Sequence, residues 1–289
     1  MPSFKFIDLF CGIGGFHLAL HSQGGECVLA CDIDKNVKKT YLHNFKKMTP
    51  DIDKKFVTDI TKIDEKALPD FDILCAGFPC QPFSQAGHKK GFSDAGRGNL
   101  FFDIMRIVDE KRPAVLFLEN VRHLVKHDDG KTFARIQLEI EQRGYSFHWK
   151  VLKASEFNLP QHRARVYMVC FDKNKIKSDH TFMFPSPVPL KKTMSDVFGG
   201  KKVNKNIGFT LRCGGKSSPI TDRRNWDGYL VDGAETRLSP VEGKKMMGFP
   251  AWFHFPVSDG IAMKQLGNSV AVPVIKAINK NILKVLNHE

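Results

Sequence analysis

The sequence predicts an α/β protein with a doubly wound, mostly parallel sheet and a second, smaller irregular domain. Short and almost continuously apolar runs, Phe71–Ala76 and Ala114–Leu118, are typical of strands that are buried on both faces. A run with helical spacing, Leu100–Val108, lies between them, and such alternation predicts helices on both faces of one sheet. A change of texture after Phe171 predicts the second domain.

The other elements of the first domain follow from the same two patterns. A tight turn at Gly12–Gly15 separates the first strand from a helix that opens at Phe16. Acidic residues, Asp32 and Asp34, follow the second strand directly. The remaining strands of this domain are expected at Lys5–Phe10, Cys27–Cys31, Phe147–Leu152 and Val166–Phe171.

Residues 172 to about 236 are rich in proline, glycine and lysine and sustain no helical period. The stretch Val270–Leu286 regains helical spacing, and we expect it to return to the first domain. We therefore predict a main domain over residues 1–171, a small domain over 172–262 and a C-terminal segment over 263–289.

The net charge of the chain indicates which class of partner it binds. The 289 residues include 44 Lys and Arg but 31 Asp and Glu, a net charge of +13 that favours nucleic acid or an acidic membrane. The chain lacks a run of ~18 apolar residues and a signal-peptide pattern, which disfavours the membrane and predicts a cytoplasmic, nucleoid-associated protein. Seven scattered cysteines without a CxxC pair predict neither disulfides nor a metal site.

A glycine-rich turn, Asp8–Gly15, follows the first strand, and Asp32 ends the second. In doubly wound sheets this arrangement binds a nucleotide-like ligand, with the carboxylate accepting from ribose hydroxyls. A purely structural turn is the alternative. Because the spacing is not GxGxxG, a pyrophosphate is not required, and S-adenosylmethionine fits the turn.

Cys80 lies between Pro79 and Pro82, just past the strand Phe71–Ala76. Prolines on either side predict a rigidly placed and exposed thiol, so we interpret Cys80 as a thiolate nucleophile. The other thiols on strands are expected to be buried small apolar groups, namely Cys27, Cys31, Cys75 and Cys170.

Glu119 follows the apolar strand Ala114–Leu118 and should share a crevice with Cys80 and Asp32. A raised pKa there would make Glu119 a proton donor. Taken alone, it could equally be a solvated strand end.

Five motifs, taken together and in this order, resemble the DNA (cytosine-5) methyltransferases of bacterial restriction–modification systems. They are the turn Asp8–Gly15, Pro79-Cys80-Gln81, Glu119-Asn120-Val121, Gln161–Arg165 and Gly267–Val270, and they span nearly the whole chain. The resemblance implies a Rossmann-like fold, S-adenosylmethionine as cofactor and duplex DNA as substrate. It also implies a functional pairing with a restriction endonuclease of the same specificity, and we expect a monomer.

For catalysis, the resemblance implies that Cys80 attacks carbon-6 of a flipped cytosine while Glu119 binds ring nitrogen 3. Arg165 would contact the cytosine carbonyl and orient Glu119, and Arg163 would do similar electrostatic work. A basic rim that binds phosphate is the alternative for both arginines. His162 is expected to pack rather than to catalyse.

For the cofactor, the resemblance assigns the turn and Asp32 to the adenosine, Ile33 to the face of the adenine, and Asp59 to its amino group. Asp32 stands where many relatives carry Glu, and Ile33 where some carry an aromatic residue. The complete cofactor set is Phe10, Cys11, Gly12, Gly14, Asp32, Ile33, Asp59, Ile60, Pro79, Leu100, Asn268 and Ser269.

Recognition of DNA is expected between about Phe209 and Arg237, where glycines permit close approach and arginines can read guanine edges. Contacts to phosphate without sequence choice are the alternative. The stretch Gln85–Gly98 resembles a mobile loop that closes behind the flipped base. The expected DNA-binding residues are Gln81, Ser84, Arg97, Arg212, Arg223, Arg224, Trp226 and Arg237.

Three other functions compete with this interpretation. One eukaryotic branch of the same fold methylates transfer RNA, but its usual variants around the nucleophile are not obvious here. A nicotinamide-dependent oxidoreductase would explain the turn and Asp32 but not the Pro79-Cys80-Gln81 motif. A non-catalytic DNA-binding relative is disfavoured because every catalytic position of the motif set is present.

Overall fold

The computed structural model describes residues 4–79, 100–177, 179–214 and 217–287. Its main sheet has the strand order β3-β2-β1-β4-β5-β7-β6. In this sheet β7 runs opposite to the other six strands, so the sheet is mostly parallel as predicted. The strands are β1 Phe4–Leu9, β2 Gly25–Cys31, β3 Phe56–Val57, β4 Ile73–Gly77, β5 Val115–Val121, β6 His148–Lys153 and β7 Ala164–Phe171.

Helices cover both faces of the sheet. The side chains of α1, α2 and α8 join one apolar cluster with the sheet, and those of α3 and α4 join the cluster on the opposite face. This arrangement confirms the doubly wound class. The helices are α1 Gly15–His21, α2 Lys35–Phe45, α3 Leu100–Lys111, α4 Lys131–Glu141, α5 Met194–Val197, α6 Pro240–Met247, α7 Asp259–Asn268 and α8 Val272–Leu286.

The local sequence explains where these elements begin and end. Asp34 caps α2 by accepting a hydrogen bond from the backbone N–H of Asn36 at 2.8 Å. Helix α3 buries Ile104, Met105 and Val108 on one side, which is the helical spacing noted in the sequence. Both β4 and β5 are buried over almost their whole length, as strands between two helical layers must be.

Strand β5 is longer than predicted, and the difference concerns the site. Glu119 was expected beyond the end of the strand, but it is paired with Gly77 of β4 on one side and Tyr167 of β7 on the other. The antiparallel β7 continues the ladder past the apolar run, so polar residues are held inside the sheet. The interpretation of Glu119 as a solvated strand end is therefore wrong.

The segment after β7 is built from short elements, including α5, α6 and the hairpin of β8 Gly228–Val231 with β9 Ala234–Arg237. Its buried aromatic residues, Trp226 and Tyr229, belong to the same apolar cluster as α1. Helix α8 lies against α1, where Asn279 donates to Gln23 at 3.0 Å. The exact division into domains stays a prediction. In the described ranges, the structure contains no helix with the length and hydrophobicity needed to cross a membrane.

Candidate active site

The glycine turn lies at the carboxyl end of β1, beside the end of β2. The backbone N–H of Cys11 donates to the carbonyl of Cys31 at 2.9 Å, which holds the two strand ends together. Phe10, Gly12 and Gly14 all have positive φ, at 55°, 52° and 81°. A Cβ on Gly12 would meet nothing within 4 Å, so the turn leaves open space above its backbone.

Asp32 closes the turn from the β2 side. Its Oδ2 accepts from the N–H of Gly12 at 2.9 Å and its Oδ1 from the N–H of Asp34 at 3.0 Å. Burial raises the pKa of Asp32. The neighbouring Ile33 is 77% exposed, an unusual position for an aliphatic side chain. This pair of residues suits an adenosine. The carboxylate of Asp32 can accept from ribose hydroxyls, and the exposed side chain of Ile33 can pack against the flat adenine ring.

The C-terminal motif Gly267–Val270 reaches this turn. A Cβ on Gly15 would stand 2.5 Å from Cγ2 of Val270 and 3.2 Å from Oγ of Ser269, so the two motifs are in direct contact. Ser269 is buried, and Asn268 is exposed. The sequence-predicted cofactor residues from the two ends of the chain are thus brought together.

Asp59 and Ile60 form a second wall next to Asp32. The N–H of Asp32 donates to the carbonyl of Val57 at 3.2 Å, which places this segment beside the end of β2. The Oδ1 of Asp59 accepts from the backbone N–H of Thr61 at 3.0 Å and from its hydroxyl at 2.7 Å. These bonds lower the pKa of Asp59, which keeps it an acceptor.

Glu119 is 7% exposed near the end of β5. Its Oε1 lies 3.2 Å from Nε of Arg165, and the two side chains form an ion pair. Burial raises the pKa of Glu119, and the charges of Arg165 and Arg163 partly oppose that rise. Gly77 leaves room above β4, because a Cβ there would lie 3.8 Å from Oε2 of Glu119. The site therefore holds a buried carboxyl group with a raised pKa directly beside an arginine.

Arg163 and Arg165 are both close to Glu119, but their surroundings differ. Arg163 is 2% exposed and donates to three backbone carbonyls, those of Leu211 at 3.3 Å, Gly267 at 2.9 Å and Ser269 at 2.6 Å. Burial lowers its pKa to about 9. A phosphate-binding rim is excluded for Arg163 by this burial. Its contacts hold the start of β7 to the C-terminal motif.

Asn120 is a positioning residue to which the sequence assigned no role. Its Nδ2 donates to the carbonyl of Phe78 at 2.8 Å, and its Oδ1 accepts from the N–H of Val121 at 2.8 Å. It therefore fixes the backbone immediately before Pro79, whose side chain is exposed. The amide type and its place after Glu119 were the only signals available in the sequence.

The thiols divide as the sequence predicted. Cys27, Cys31, Cys75 and Cys170 are buried, so none of them can meet a substrate. Cys213 is exposed, and its thiol donates to Oδ1 of Asn268. The predicted nucleophile, Cys80, lies outside the described residues.

Of the predicted DNA-binding residues, Arg212 and Arg223 are exposed. Arg224 is exposed too, but it forms an ion pair with Asp222 at 2.8 Å, and its hydrogen bonds lower the pKa of Asp222 to about 2. Arg237 pairs with Asp227 at 3.2 Å.

Two predictions about individual side chains need correction. Trp226 is 1% exposed, and its indole N–H donates to the carbonyl of Gly214 at 2.9 Å. Since the ring is enclosed in the core, a packing role replaces the predicted contact with DNA. His162, expected to pack, lies two residues before β7, and its side chain is exposed. The remaining predicted contacts lie outside the described residues: Gln81, Ser84, Arg97 and the loop Gln85–Gly98.

Comparison with known proteins agrees with this geometry. The family model described as C-5 cytosine-specific DNA methylase matches residues 4–230 and 213–284. The chain is 38% identical to the Type II methyltransferase M.HhaI of Haemophilus parahaemolyticus, over 99% of this chain and 96% of that protein. It is 42% identical to the Type II methyltransferase M1.ScrFI of Lactococcus lactis subsp. cremoris, over 98% of this chain and 79% of that protein.

Among solved structures, a mutant of DNMT2 from Spodoptera frugiperda superposes with a TM-score of 0.72 at 20% identity, covering 97% of this chain and 100% of that one. This likeness shows the fold. The family model and the two relatives show more, because they match nearly the full chain. The chain therefore belongs to the family of C-5 cytosine-specific DNA methylases, and it is an S-adenosylmethionine-dependent DNA (cytosine-5-)-methyltransferase.

Proposed function

We propose that the protein flips a target cytosine out of duplex DNA and methylates carbon-5 through a transient covalent bond between Cys80 and carbon-6. The observation that carries this proposal is the buried ion pair of Glu119 and Arg165 at the end of β5. Strand β4, which precedes Cys80 in the sequence, lies between β5 and the β1 strand that leads into the glycine turn. Glu119, Arg165 and the glycine turn thus all lie at the carboxyl ends of the parallel strands.

The chemistry follows from the raised pKa of Glu119. The carbon-5 atom of cytosine is a poor nucleophile until a thiolate adds at carbon-6 and pushes electrons into the ring. A protonated Glu119 can donate to ring nitrogen 3, so that the electron density which this addition pushes onto that nitrogen is neutralised by the proton. After methyl transfer, loss of the carbon-5 proton reforms the double bond, and the carbon–sulfur bond to Cys80 breaks.

Arg165 has donors left for the cytosine carbonyl. One edge of its guanidinium faces Glu119, and one Nη donates to the carbonyl of Ala164 at 2.9 Å. A guanidinium carries five N–H donors in a planar fork, so it can hold the carboxyl group and the base at once. Arg163 adds positive charge behind this pair and keeps the strand end in place.

S-adenosylmethionine would bind among the glycine turn, the ends of β1 and β2, the segment of Asp59 and the C-terminal motif. When bound, the cofactor supplies an electrophilic methyl group on a positively charged sulfur. Asp32 would accept from the ribose hydroxyls, Ile33 and Ile60 would contact the adenine, and Asp59 would accept from its amino group. The methionine part would lie among Pro79, Leu100, Asn268 and Ser269.

Duplex DNA is the substrate that the charge and the relatives favour. The exposed arginines Arg212, Arg223 and Arg224 all belong to residues 172–262, which we propose as a target-recognition domain. Because both relatives are named Type II methyltransferases, we also propose that the enzyme protects host DNA in a restriction–modification system. It would act as a monomer at the nucleoid, paired in function with an endonuclease of the same specificity.

The test is methyl transfer from labelled cofactor to duplex DNA and, in parallel, to transfer RNA. We expect label in DNA only, and bisulfite sequencing of plasmid from an expressing host should then show 5-methylcytosine in one sequence context. Label in transfer RNA alone would overturn the proposal and favour the RNA-modifying branch of the fold.

The covalent step has its own test. Duplex DNA with 5-fluorocytosine should trap the enzyme, because fluorine at carbon-5 cannot leave as a proton does. Cys80→Ser should abolish trapping and turnover, because a serine hydroxyl at pH 7 is a far weaker nucleophile than a thiolate. The matched variant Cys213→Ser should retain both. An adduct that maps to Cys213 would refute the assignment.

A further inference from the structure

We propose that Arg106 of α3 is a positioning residue that sets the enzyme's selectivity for adenine, by fixing the turn that presents Asp59. This inference rests on the cofactor pocket of the proposed function, in which Asp59 meets the adenine amino group. No motif of the sequence includes Arg106, and it lies in α3, a helix that buries five apolar side chains in the core.

The first step of the argument is the contact set of the guanidinium. Its Nη2 donates to the carbonyl of Ile60 at 2.9 Å, and its Nη1 donates to the carbonyl of Ile63 at 2.7 Å. These carbonyls mark the two ends of one short turn, the 3₁₀ helix Ile60–Lys62 and its cap. A planar fork with two separated donors suits this bridge, and the single point charge of a lysine does not.

The second step is that the turn orients Asp59. The N–H of Lys62 donates to the carbonyl of Asp59 at 3.0 Å, and the N–H and hydroxyl of Thr61 both donate to its Oδ1. The carboxylate is therefore fixed by residues that Arg106 holds in place. Its Oδ2 has no hydrogen-bond partner among the described residues and can accept from a ligand.

The third step is that Arg106 is itself held. It forms ion pairs with Glu65 and, at 3.5 Å, with Asp103 of its own helix. Ile60 and Ile63 are buried in the same apolar cluster as the inner side of α3. Apolar packing and the hydrogen bonds of Arg106 thus connect α3 to the turn, and the hydrogen bonds add a directional restraint that apolar packing does not supply.

The test compares cofactor analogues that differ along the purine edge that Asp59 would contact, at the substituent on carbon-6 and in the proton that hypoxanthine carries on nitrogen 1. S-adenosylhomocysteine carries an amino group on the purine ring, and S-inosylhomocysteine carries a carbonyl there. We define the selectivity ratio as the Kd for the inosyl compound divided by the Kd for the adenosyl compound. A hydrogen bond accepted by a charged group contributes a factor of about 10–100, which sets the upper limit of this ratio.

Arg106→Lys should reduce the selectivity ratio by about 5–20-fold, which is part of the factor that the hydrogen bond to Asp59 contributes. The affinity for DNA and the kcat at saturating cofactor should change less than about twofold. Asp59→Asn should reduce the ratio at least as much. The double variant should show no further loss, because both substitutions act through one contact. Glu65→Gln should shift the ratio in the same direction by less, and it serves as the second probe if Arg106→Lys folds poorly.

The matched control is Arg143→Lys. Arg143 also pairs with two carboxylates, Asp109 and Glu139, but it lies just after the C-terminal end of α4 and has no hydrogen bond to the turn Ile60–Ile63 among the described residues. Arg143→Lys should leave the selectivity ratio unchanged, although its loss of thermal stability should be similar to that of Arg106→Lys. The proposal is overturned if Arg106→Lys weakens both compounds equally, or if Asp59→Asn leaves the ratio unchanged. Either result leaves the proposed function standing so long as Cys80-dependent methylation of DNA persists.

Discussion

His17 is a buried neutral histidine whose proton uptake should cost the protein stability in mild acid. Its ring is fully enclosed on α1, stacked on Phe45 with centroids 4.1 Å apart. One ring nitrogen lies 2.7 Å from the hydroxyl of Tyr41 and the other 3.4 Å from that of Thr49. Burial, with a smaller contribution from the nearby His21, lowers the pKa of His17 from 6.5 to about 3.

The sign follows from the two pKa values. In the unfolded chain the imidazole takes up a proton below pH 6.5, whereas in the folded chain it does so only near pH 3. Folding stability contributed by His17 is therefore complete above pH 6.5 and is lost as the pH falls from there toward 3. At pH 5, about 1.5 pH units below the unfolded value, the loss is about 2 kcal/mol at 1.36 kcal/mol per unit.

The measurement is urea unfolding of the wild type and His17→Gln at pH 7.5 and pH 5. The variant loses the stacked ring and is less stable at pH 7.5, but its deficit should shrink by about 2 kcal/mol at pH 5 because glutamine takes up no proton. Comparing deficits cancels groups that both proteins share, such as Asp8 and Glu119. Leu18→Ala, a substitution on the same helix without a titrating group, should keep a constant deficit. A His17→Gln deficit that is equal at both pH values would refute the reasoning.

Three further predictions concern catalysis, recognition and packing. Glu119→Gln should slow methylation by about 10²–10⁴-fold while DNA affinity changes little, and a parallel loss of DNA binding would show that its role is structural. Arg223→Ala should cost about 1–3 kcal/mol on the cognate duplex and relax choice at one base pair if the arginine reads guanine; equal weakening on all duplexes with a lower salt slope would assign it to phosphate. Gly267→Ala should destabilise by about 1–3 kcal/mol in chemical denaturation, because its Cβ would stand 2.5 Å from the carbonyl carbon of Arg212. Gly260→Ala in the same helix, where a Cβ meets nothing within 4 Å, is the control and should not destabilise.

The parts of the fold that sequence predicted well are those that local patterns determine. Apolar runs and the glycine turn predict β1, β4 and β5 because strands between two helical layers have little room for polar residues. The extension of β5 to Glu119 was not predictable in this way. It depends on pairing with β7, whose residues lie far along the chain and run in the opposite direction.

The site shows the same division. The turn and Asp32 come together because successive parallel strands end at one sheet edge, which sequence order alone implies. The three carbonyls around Arg163 come from distant segments, and backbone acceptors carry no residue signal. Trp226 was misassigned for a related reason: an aromatic residue among arginines has the composition of a nucleic-acid interface, and only the packing shows that it is buried.

The close approach of Gly267 to Arg212 and Cys213 bears on how specificity could be exchanged between enzymes of this family. A Cβ on Gly267 would stand 2.6 Å from the carbonyl oxygen of Arg212 and 2.9 Å from the nitrogen of Cys213, so these two backbones touch without side chains between them. The backbone around Arg212 is thus packed against the C-terminal motif, although the Arg212 side chain is one of the exposed arginines. Chimaeras that replace residues 217–237 should keep methylating, with altered sequence choice, while those that replace 209–237 should lose activity. Equal activity of both chimaeras would show that residues 209–216 are not needed for activity and would refute this boundary.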